Sequence, residues 1–442
     1  MPEAQGVAIT GLGLVLPQGV GLSAADDVFA GRTAVRYLPE LADVPGATGA
    51  ALLDFEPPSG TGRLDRAVQF AVAAADEAWN HAGLARPRDA HPYVSRGRSP
   101  DPRRRAGGER ALPARRVRRP AAQGLAPAPD RVATVVSLSK GALFALVRRA
   151  AGGVVDTGAP FEVTADAAAR TVAARLNLTG PIAAPVTACA SGGHALVLGA
   201  GLVRRGVVDA AVVGAAEASL HPMILGSYRR MGVLADAGAD PATSVRPFSA
   251  SRRGFAIGEG AGVLVLESLA SAARRGAKPI ALVQGWAAGC QTAGLIDMEP
   301  DGETLAHLLR LALDRAGAKP EDVDYVHAHG TATVSNDAAE ARAIRMALGK
   351  AAGAVSVSST KGSHGHLLGA ATAVELVVTV LAMERGMVPP TANLTDADPA
   401  IGLDCTPLAA RRRRVRRAVK IASGFGGQVL VVVLASPEGT KG

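Results

Sequence analysis

The sequence predicts an α/β protein of two similar halves, residues 1–272 and 273–442, in which strands and helices alternate. Three observations carry this. Short apolar runs such as "AAVVG", "GVLVL" and "VLVVVL" read as strands buried on both faces, so helices must cover both sides of each sheet. Between them, apolar residues recur at the three- and four-residue spacing of a helix with one buried face. The order of elements then repeats from about residue 278, in a chain of 442 residues that exceeds what one core usually organises.

The elements follow in order. "GVAITGLGLVLP" is the first strand. Leu64, Val68, Ala71, Val72, Ala75, Trp79 and Ala82 keep helical spacing, and Gly83 follows as a C-terminal cap. "DRVATVVSLSKG" is a second strand. "PVTACASGGHALVLGAG" turns through a cysteine into a helix, and "DAAVVGAAE" and "GVLVLES" are strands. In the second half, "KPIALVQGWAAG" is a strand. Leu305, Leu308, Leu309 and Ala312 mark a helix with Asp301 as its N-cap. "VDYVHAHG", "DAAEARAIRMALG", "AVSVSSTKG" and "GHLLGAATAVELVVTVLAME" read as strand, helix, strand and long helix. "AVKIASGFGG" and "QVLVVVLAS" close the chain as strands joined through glycines. The glycine runs "GFAIGEGAGVLVLE" and "ASGFGG" lead into strands and lack the P-loop spacing, so they read as tight turns or close backbone approach.

Residues 87–129 interrupt the pattern. Pro, Arg and Gly dominate, no apolar period survives, and the segment reads as a disordered or loosely held insertion. A basic docking arm and a local reading-frame error are the other two readings. Residues 86–131 hold 13 Arg and four acids, and 13 − 4 = 9 equals the whole net charge of +9. The rest of the chain is neutral, which argues against a nucleic-acid binder. A second basic cluster, "RRRRVRR", spans 411–417. Three widely spaced cysteines, Cys189, Cys290 and Cys405, read as reduced thiols of a cytoplasmic protein. No basic region precedes the first apolar run, so no signal peptide is expected. No apolar run is long enough to span a membrane.

Cys189 stands out chemically. It lies where an apolar stretch enters a helix, a position whose dipole favours thiolate. A lone cysteine is otherwise a small packing residue. His327 and His329 fall at the end of one strand, and Lys361, His364 and His366 at the end of the next. Strand C-termini are where open α/β sheets bind ligands. One nucleophile with two histidine segments suggests covalent catalysis with acid/base or oxyanion support. The two His-x-His pairs also raise a metal site, but neither pair contains a carboxylate and glycines surround them. Glu375 is the only charge between His366 and Glu384, so it needs a cation, and Lys361 lies just upstream.

Together the segments resemble the β-ketoacyl synthases, the condensing enzymes of fatty acid and polyketide assembly, over nearly the whole chain except 87–129. "TACASG" is similar to the family's nucleophile motif, "RPFSASRRGFAIGEGAG" to its central Gly-rich motif, "HGTAT" and "KGSHGHLLGAA" to its histidine motifs, and "GFGG" to its closing turn. The resemblance implies the thiolase fold: two βα halves, each with a mostly parallel sheet, stacked as five α-β-α-β-α layers. It implies Cys189 as nucleophile, His329 and His366 acting on a malonyl thioester, Lys361 as supporting lysine and Glu375 as the carboxylate that neutralises it. It further implies Thr331 and Thr333 on the phosphopantetheine arm, and Asp337 and Glu340 behind the first histidine. Phe425 would be a gate whose N–H forms the oxyanion hole with that of Cys189.

No bound cofactor or metal is implied, because the phosphopantetheine arrives on an acyl carrier protein. The chain would be a homodimer or pair with a related subunit, with no membrane or nucleic-acid partner. A non-elongating acyltransferase, a thiolase-like enzyme and a non-catalytic chain-length-factor-like subunit are the alternatives. Ser423, Ser249 and Arg253 depart from the family's usual residues. His327, His364 and His194 have no counterpart.

Overall fold

The computed structural model describes residues 6–41, 44, 46–85, 126–152 and 159–440. The insertion at 87–129 lies outside the described residues up to residue 125. From there a short turn, Pro129–Arg131, leads into the next strand.

The first part of the chain runs β1 (Val7–Leu16), α1 (Arg66–His81), β2 (Val132–Leu138), α2 (Ala167–Arg175), β3 (Ile182–Ala183), α3 (Ser191–Arg204), β4 (Ala210–Glu217) and β5 (Gly260–Ser268). The same order follows as β6 (Ala281–Cys290), α4 (Glu303–Arg315), β7 (Tyr325–His327), α5 (Val334–Leu348), β8 (Ser356–Ser358), α6 (Ala371–Arg385), β9 (Arg417–Gly424) and β10 (Gln428–Ala435). Strands neighbour one another as β1-β5-β4-β2-β3 and as β6-β10-β9-β7-β8, so each position of the first sheet has a counterpart in the second.

The layers follow from which faces are apolar. Helices α1 and α2 cover the outer face of the first sheet, and α4 and α5 that of the second. Helices α3 and α6 fill the space between the sheets and touch both, giving the α-β-α-β-α stack of the thiolase fold. Apolar residues cluster accordingly, in one central core around α3 and α6 and two outer cores. The central layer is tight because glycines allow it. A Cβ on Gly192 would lie 2.7 Å from the Ala373 nitrogen, and one on Gly262 2.5 Å from the Ala373 carbonyl carbon.

Several details differ from the sequence expectation. Each sheet is mixed rather than mostly parallel: in the first, β1–β5 and β5–β4 are antiparallel while β4–β2 and β2–β3 are parallel, and the second repeats this. The last two strands of each half run antiparallel, β9 and β10 through a tight turn and β4 and β5 across residues 218–259, and periodicity alone carries no strand direction. The sheets also join at one edge, where Val7, Ala8 and Ile9 pair with Val283, Leu282 and Ala281. Asp301 is not the N-cap of α4. Gly302 holds that position at φ 72°, and the Asp301 carboxylate accepts from the Glu303 N–H at 3.1 Å. In the "RRRRVRR" cluster, Arg411 pairs with Asp404, Arg414 with Glu438 and Arg417 with Asp322, so much of this charge is matched locally. Among the described residues, no helix is long and apolar enough to cross a membrane, and no group of three or more His, Cys, Asp or Glu is placed to hold a metal ion.

Candidate active site

Cys189 sits in the turn Ala188–Ala190 that feeds α3, and only 5% of it is exposed. Ala188 has φ 48°, left-handed backbone that costs a Cβ-bearing residue energy unless its surroundings hold it. They do. The Thr187 N–H donates to Ser191 Oγ at 2.9 Å, Ser191 Oγ donates to the Ala188 carbonyl at 2.7 Å, and Thr372 Oγ1 donates to the Cys189 carbonyl at 2.8 Å. His194 bridges Thr187 Oγ1 and the Ala190 carbonyl through Nδ1, so it belongs to this clamp. From the opposite side, a Cβ on Gly424 would lie 2.9 Å from the Thr187 carbonyl and 3.2 Å from the Cys189 nitrogen.

One pocket brings together Cys189, His329, His366, Thr331, Thr333 and Phe425, with Phe255, Ile296 and Met298 as apolar wall and Ser423 and Gly424 beside the thiol. The His329 and His366 rings stand edge to face, centroids 5.4 Å apart at 80°. The Gly-rich segment positions His366: its N–H donates to the Ala256 carbonyl at 2.7 Å, and the Gly258 N–H donates back to its carbonyl at 2.9 Å. His366 Nδ1 accepts from the Leu368 N–H at 3.2 Å, so in the neutral ring the proton sits on Nε2. His329 Nδ1 is buried without a partner. An orphan acceptor is better tolerated than an orphan N–H, which assigns the His329 proton to Nε2 as well. Thr331 and Thr333 hydroxyls lie 2.9 Å apart on the pocket wall. The Phe425 ring packs on Tyr228 at 6.1 Å, and Phe255 packs edge-on against His366 at 4.8 Å.

Four of the residues expected at the site lie behind the pocket. Lys361 and Glu375 are fully buried and in contact through Nζ and Oε1, and Lys361 Nζ also donates to the His329 carbonyl. Glu340 accepts from the N–H groups of His329 and Gly330 at 2.6 and 2.8 Å. Asp337 accepts from those of Phe248 and Ala332 at 2.8 and 3.2 Å, and both donors hold φ 64°. These carboxylates shape the histidine loop and do not face the thiol. At the departures from the family pattern, Ser249 bonds Asp396 and Ser251, and Arg253 donates to the Arg252 carbonyl.

The sequence reading missed Lys420. It is fully buried on β9, its Nζ 2.8 Å from Glu375 Oε2 as an ion pair without hydrogen-bond geometry. A charge between Val419 and Ile421, inside the otherwise apolar run 418–422, was the available signal. The two unassigned motif histidines also find places. His364 Nε2 meets Thr360 Oγ1 at 2.8 Å, Thr360 meets His327 Nε2 at 3.1 Å, and His327 Nδ1 meets Thr379 at 2.9 Å, a buried polar chain beneath the site.

Burial dominates the electrostatics. It pushes the Cys189 thiol up to about 11 against the pull of Lys140 and Lys361, so the pocket does not favour the thiolate expected from the helix terminus. Burial, then Lys361, His366 and Lys420, hold His329 well below the ordinary imidazole range. Burial, Lys361 and Lys140 do the same for His366. Both rings are therefore neutral N–H donors at neutral pH. Burial alone would raise Glu375, but Lys361 and Lys420 outweigh it and keep it ionised. Burial lowers Lys420 to about 8 and raises Glu340 to about 7.

Known proteins resemble the chain over nearly its whole length. Residues 123–272 match the family model for the beta-ketoacyl synthase N-terminal domain, and residues 280–395 that for its C-terminal domain. The tetracenomycin polyketide synthase ketoacyl synthase alpha subunit of Streptomyces glaucescens is 34% identical over 98% of this chain and 98% of its own length. The ishigamide ketosynthase/chain length factor matches with a TM-score of 0.80 at 29% identity, over 98% of this chain and 99% of that one. A type II PKS ketosynthase, solved with its acyl-carrier protein and bound to the hexaketide, matches with a TM-score of 0.80 at 26% identity, over 98% of this chain and 100% of that one. With both domains matched and full-length relatives above 30% identity, the chain belongs to the β-ketoacyl synthase family.

Proposed function

We propose that the chain is a condensing β-ketoacyl-[acyl carrier protein] synthase of a type II polyketide or fatty acid system. The observation that carries this is the meeting of an intact nucleophile, Cys189, with two neutral histidines in one apolar-walled pocket. Cys189 Sγ attacks an acyl thioester, and its proton leaves with the carrier thiol. The backbone N–H groups of Cys189 and Phe425 serve the oxyanion. A malonyl thioester then enters past Thr331 and Thr333. As its C–CO₂ bond breaks, the electron pair moves into an enolate whose oxygen accepts from Nε2–H of His366 and His329. The carbanion attacks the acyl-Cys189 carbonyl, the C–S bond breaks, and the returning thiolate takes up one proton from solvent. Carbon dioxide and a β-ketoacyl carrier leave.

The carrier delivers the phosphopantetheine, and the ketosynthase solved with its acyl-carrier protein supports an acyl carrier protein as partner here. The solved ketosynthase/chain length factor supports pairing with a related subunit, and it equally raises the reading of this chain as the non-catalytic member of such a pair. The retained thiol favours the catalytic role. Purified protein with malonyl-carrier and labelled acyl-carrier decides. Covalent label on wild type but not on Cys189→Ala, and carbon dioxide release by Cys189→Gln, support condensation. Labelling without carbon dioxide release would make it a non-elongating acyltransferase, and neither activity would make it a partner subunit.

A further inference from the structure

Two buried lysines close on one carboxylate beneath the pocket, and only Lys361 has a part in the reading above. Lys420 Nζ donates to the Ala328 carbonyl at 2.9 Å and the His327 carbonyl at 3.3 Å, and meets Glu375 Oε2. Lys361 Nζ donates to the His329 carbonyl and meets Glu375 Oε1. Three consecutive carbonyls thus point at two ammonium groups bridged by one carboxylate. The N–H groups of His329 and Gly330 point the other way, onto Glu340. The peptide that delivers His329 is clamped between cations on its carbonyl side and a carboxyl on its amide side. An ammonium has three donors, and Lys420 gives two of them to carbonyls while it holds Glu375 as an ion pair.

We propose that Lys420 is a positioning residue of the condensing site: with Lys361 it grips the 327–329 backbone and so fixes the direction of the His329 ring. This rests on the condensing reading. The His329 ring makes no hydrogen bond at Nδ1, so backbone and packing aim it. The charged and titratable groups around it are Cys189 from the turn before α3, His327 from β7, Lys361, His364 and His366 from the 361–366 turn, Lys420 from β9, Glu375 from α6, and Asp337 and Glu340 from α5. Of these groups, Lys361, His366 and Lys420 oppose a charge on the His329 ring, after burial as the larger cause. Burial moves Asp337 and Glu340 toward neutrality. Lys420 therefore also opposes protonation of the ring.

The test compares full-length wild type with Lys420→Met, Lys420→Arg and the double variant Lys420→Met/Glu375→Gln. The readouts are NMR titration of ¹³C-labelled histidines, acyl loading of Cys189 and carbon dioxide release against pH. In Lys420→Met, the His329 midpoint and the acid limb of carbon dioxide release rise by on the order of one pH unit. Carbon dioxide release falls about tenfold or more while loading stays within about twofold. Lys420→Arg restores the titration. The double variant keeps the net charge, so the titration stays near wild type while carbon dioxide release remains low. It also carries the test if the single variant does not fold. An unmoved His329 titration in Lys420→Met, or equal losses in loading and carbon dioxide release, would overturn the proposal. Absence of carbon dioxide release by wild type would remove the condensing reading instead, and the NMR titration would still decide whether Lys420 sets the charge of the ring.

Discussion

Replacing Glu375 with Gln isolates the electrostatics under the pocket, because the shape is kept and only the charge is lost. Glu375 is 0% exposed, in contact with Lys361 and 2.8 Å from Lys420. At an effective dielectric constant of about 20, unit charges 2.8 Å apart attract by roughly 6 kcal/mol, most of which desolvation offsets. Removing one partner of a buried pair costs about 3–5 kcal/mol, and here one removal strands two cations, so the upper end applies. That is a large share of the roughly 5–15 kcal/mol that holds a typical protein folded.

The loss must also depend on pH. Lys420 already titrates at about 8 in the fold, below its unfolded value of 10.5, so its charge costs stability below pH 8 and that cost is relieved as pH rises toward 10.5. Without Glu375 the folded value drops further, and relief begins at lower pH. The penalty is therefore largest near pH 6 and shrinks toward pH 8–9. Urea midpoints at pH 6, 7, 8 and 9 measure it. A penalty under about 1 kcal/mol, or one that does not change with pH, would refute an ionised Glu375 between two charged lysines.

Three further outcomes are expected. His329→Ala and His366→Ala should each lower carbon dioxide release by roughly 10²–10³ while sparing acyl loading, as single-turnover measurement of each step would report. Since both rings titrate well below the ordinary range, wild-type carbon dioxide release should show no acid limb near pH 6.5, and a midpoint there would contradict neutral buried imidazoles. Gly424→Ala pushes a methyl against the Thr187 carbonyl and the Cys189 nitrogen, so acyl loading should fall by about 10²-fold with a small change in melting temperature. Loading at the wild-type rate would mean the nucleophile turn tolerates displacement.

Strand positions were legible because burial on both faces writes itself as continuous apolar residues, as in Val7–Leu16 and Gln428–Ala435. The gathering of Cys189, His329 and His366 was legible because each sits where a strand or turn ends beside glycines. Strand direction was not, since β5 and β2 have similar composition but run opposite and parallel to β4. Lys420 was passed over because its partner Glu375 lies 45 residues earlier on a helix, and nothing local pairs them. The raised Cys189 thiol was hidden for a related reason. Its sequence neighbours announce a helix terminus, while the burial that outweighs it comes from chain hundreds of residues away.

The pairing of β1 has a consequence for synthesis. Val7–Leu16 is wholly buried, yet its partners on β5 begin at Ala261 and those on β6 at Ala281. At about 5–20 residues per second, the ribosome needs roughly 12–50 s to make the intervening chain. Through that interval the first strand has α1 to cover one face and Gly19 and Val20 to pair with its last residues, while the rest of both edges stays open. Open strand edges of this kind are the aggregation-prone surfaces that chaperones shield during synthesis. Changes that slow translation before residue 260 should lower the soluble yield without altering a single contact of the finished protein.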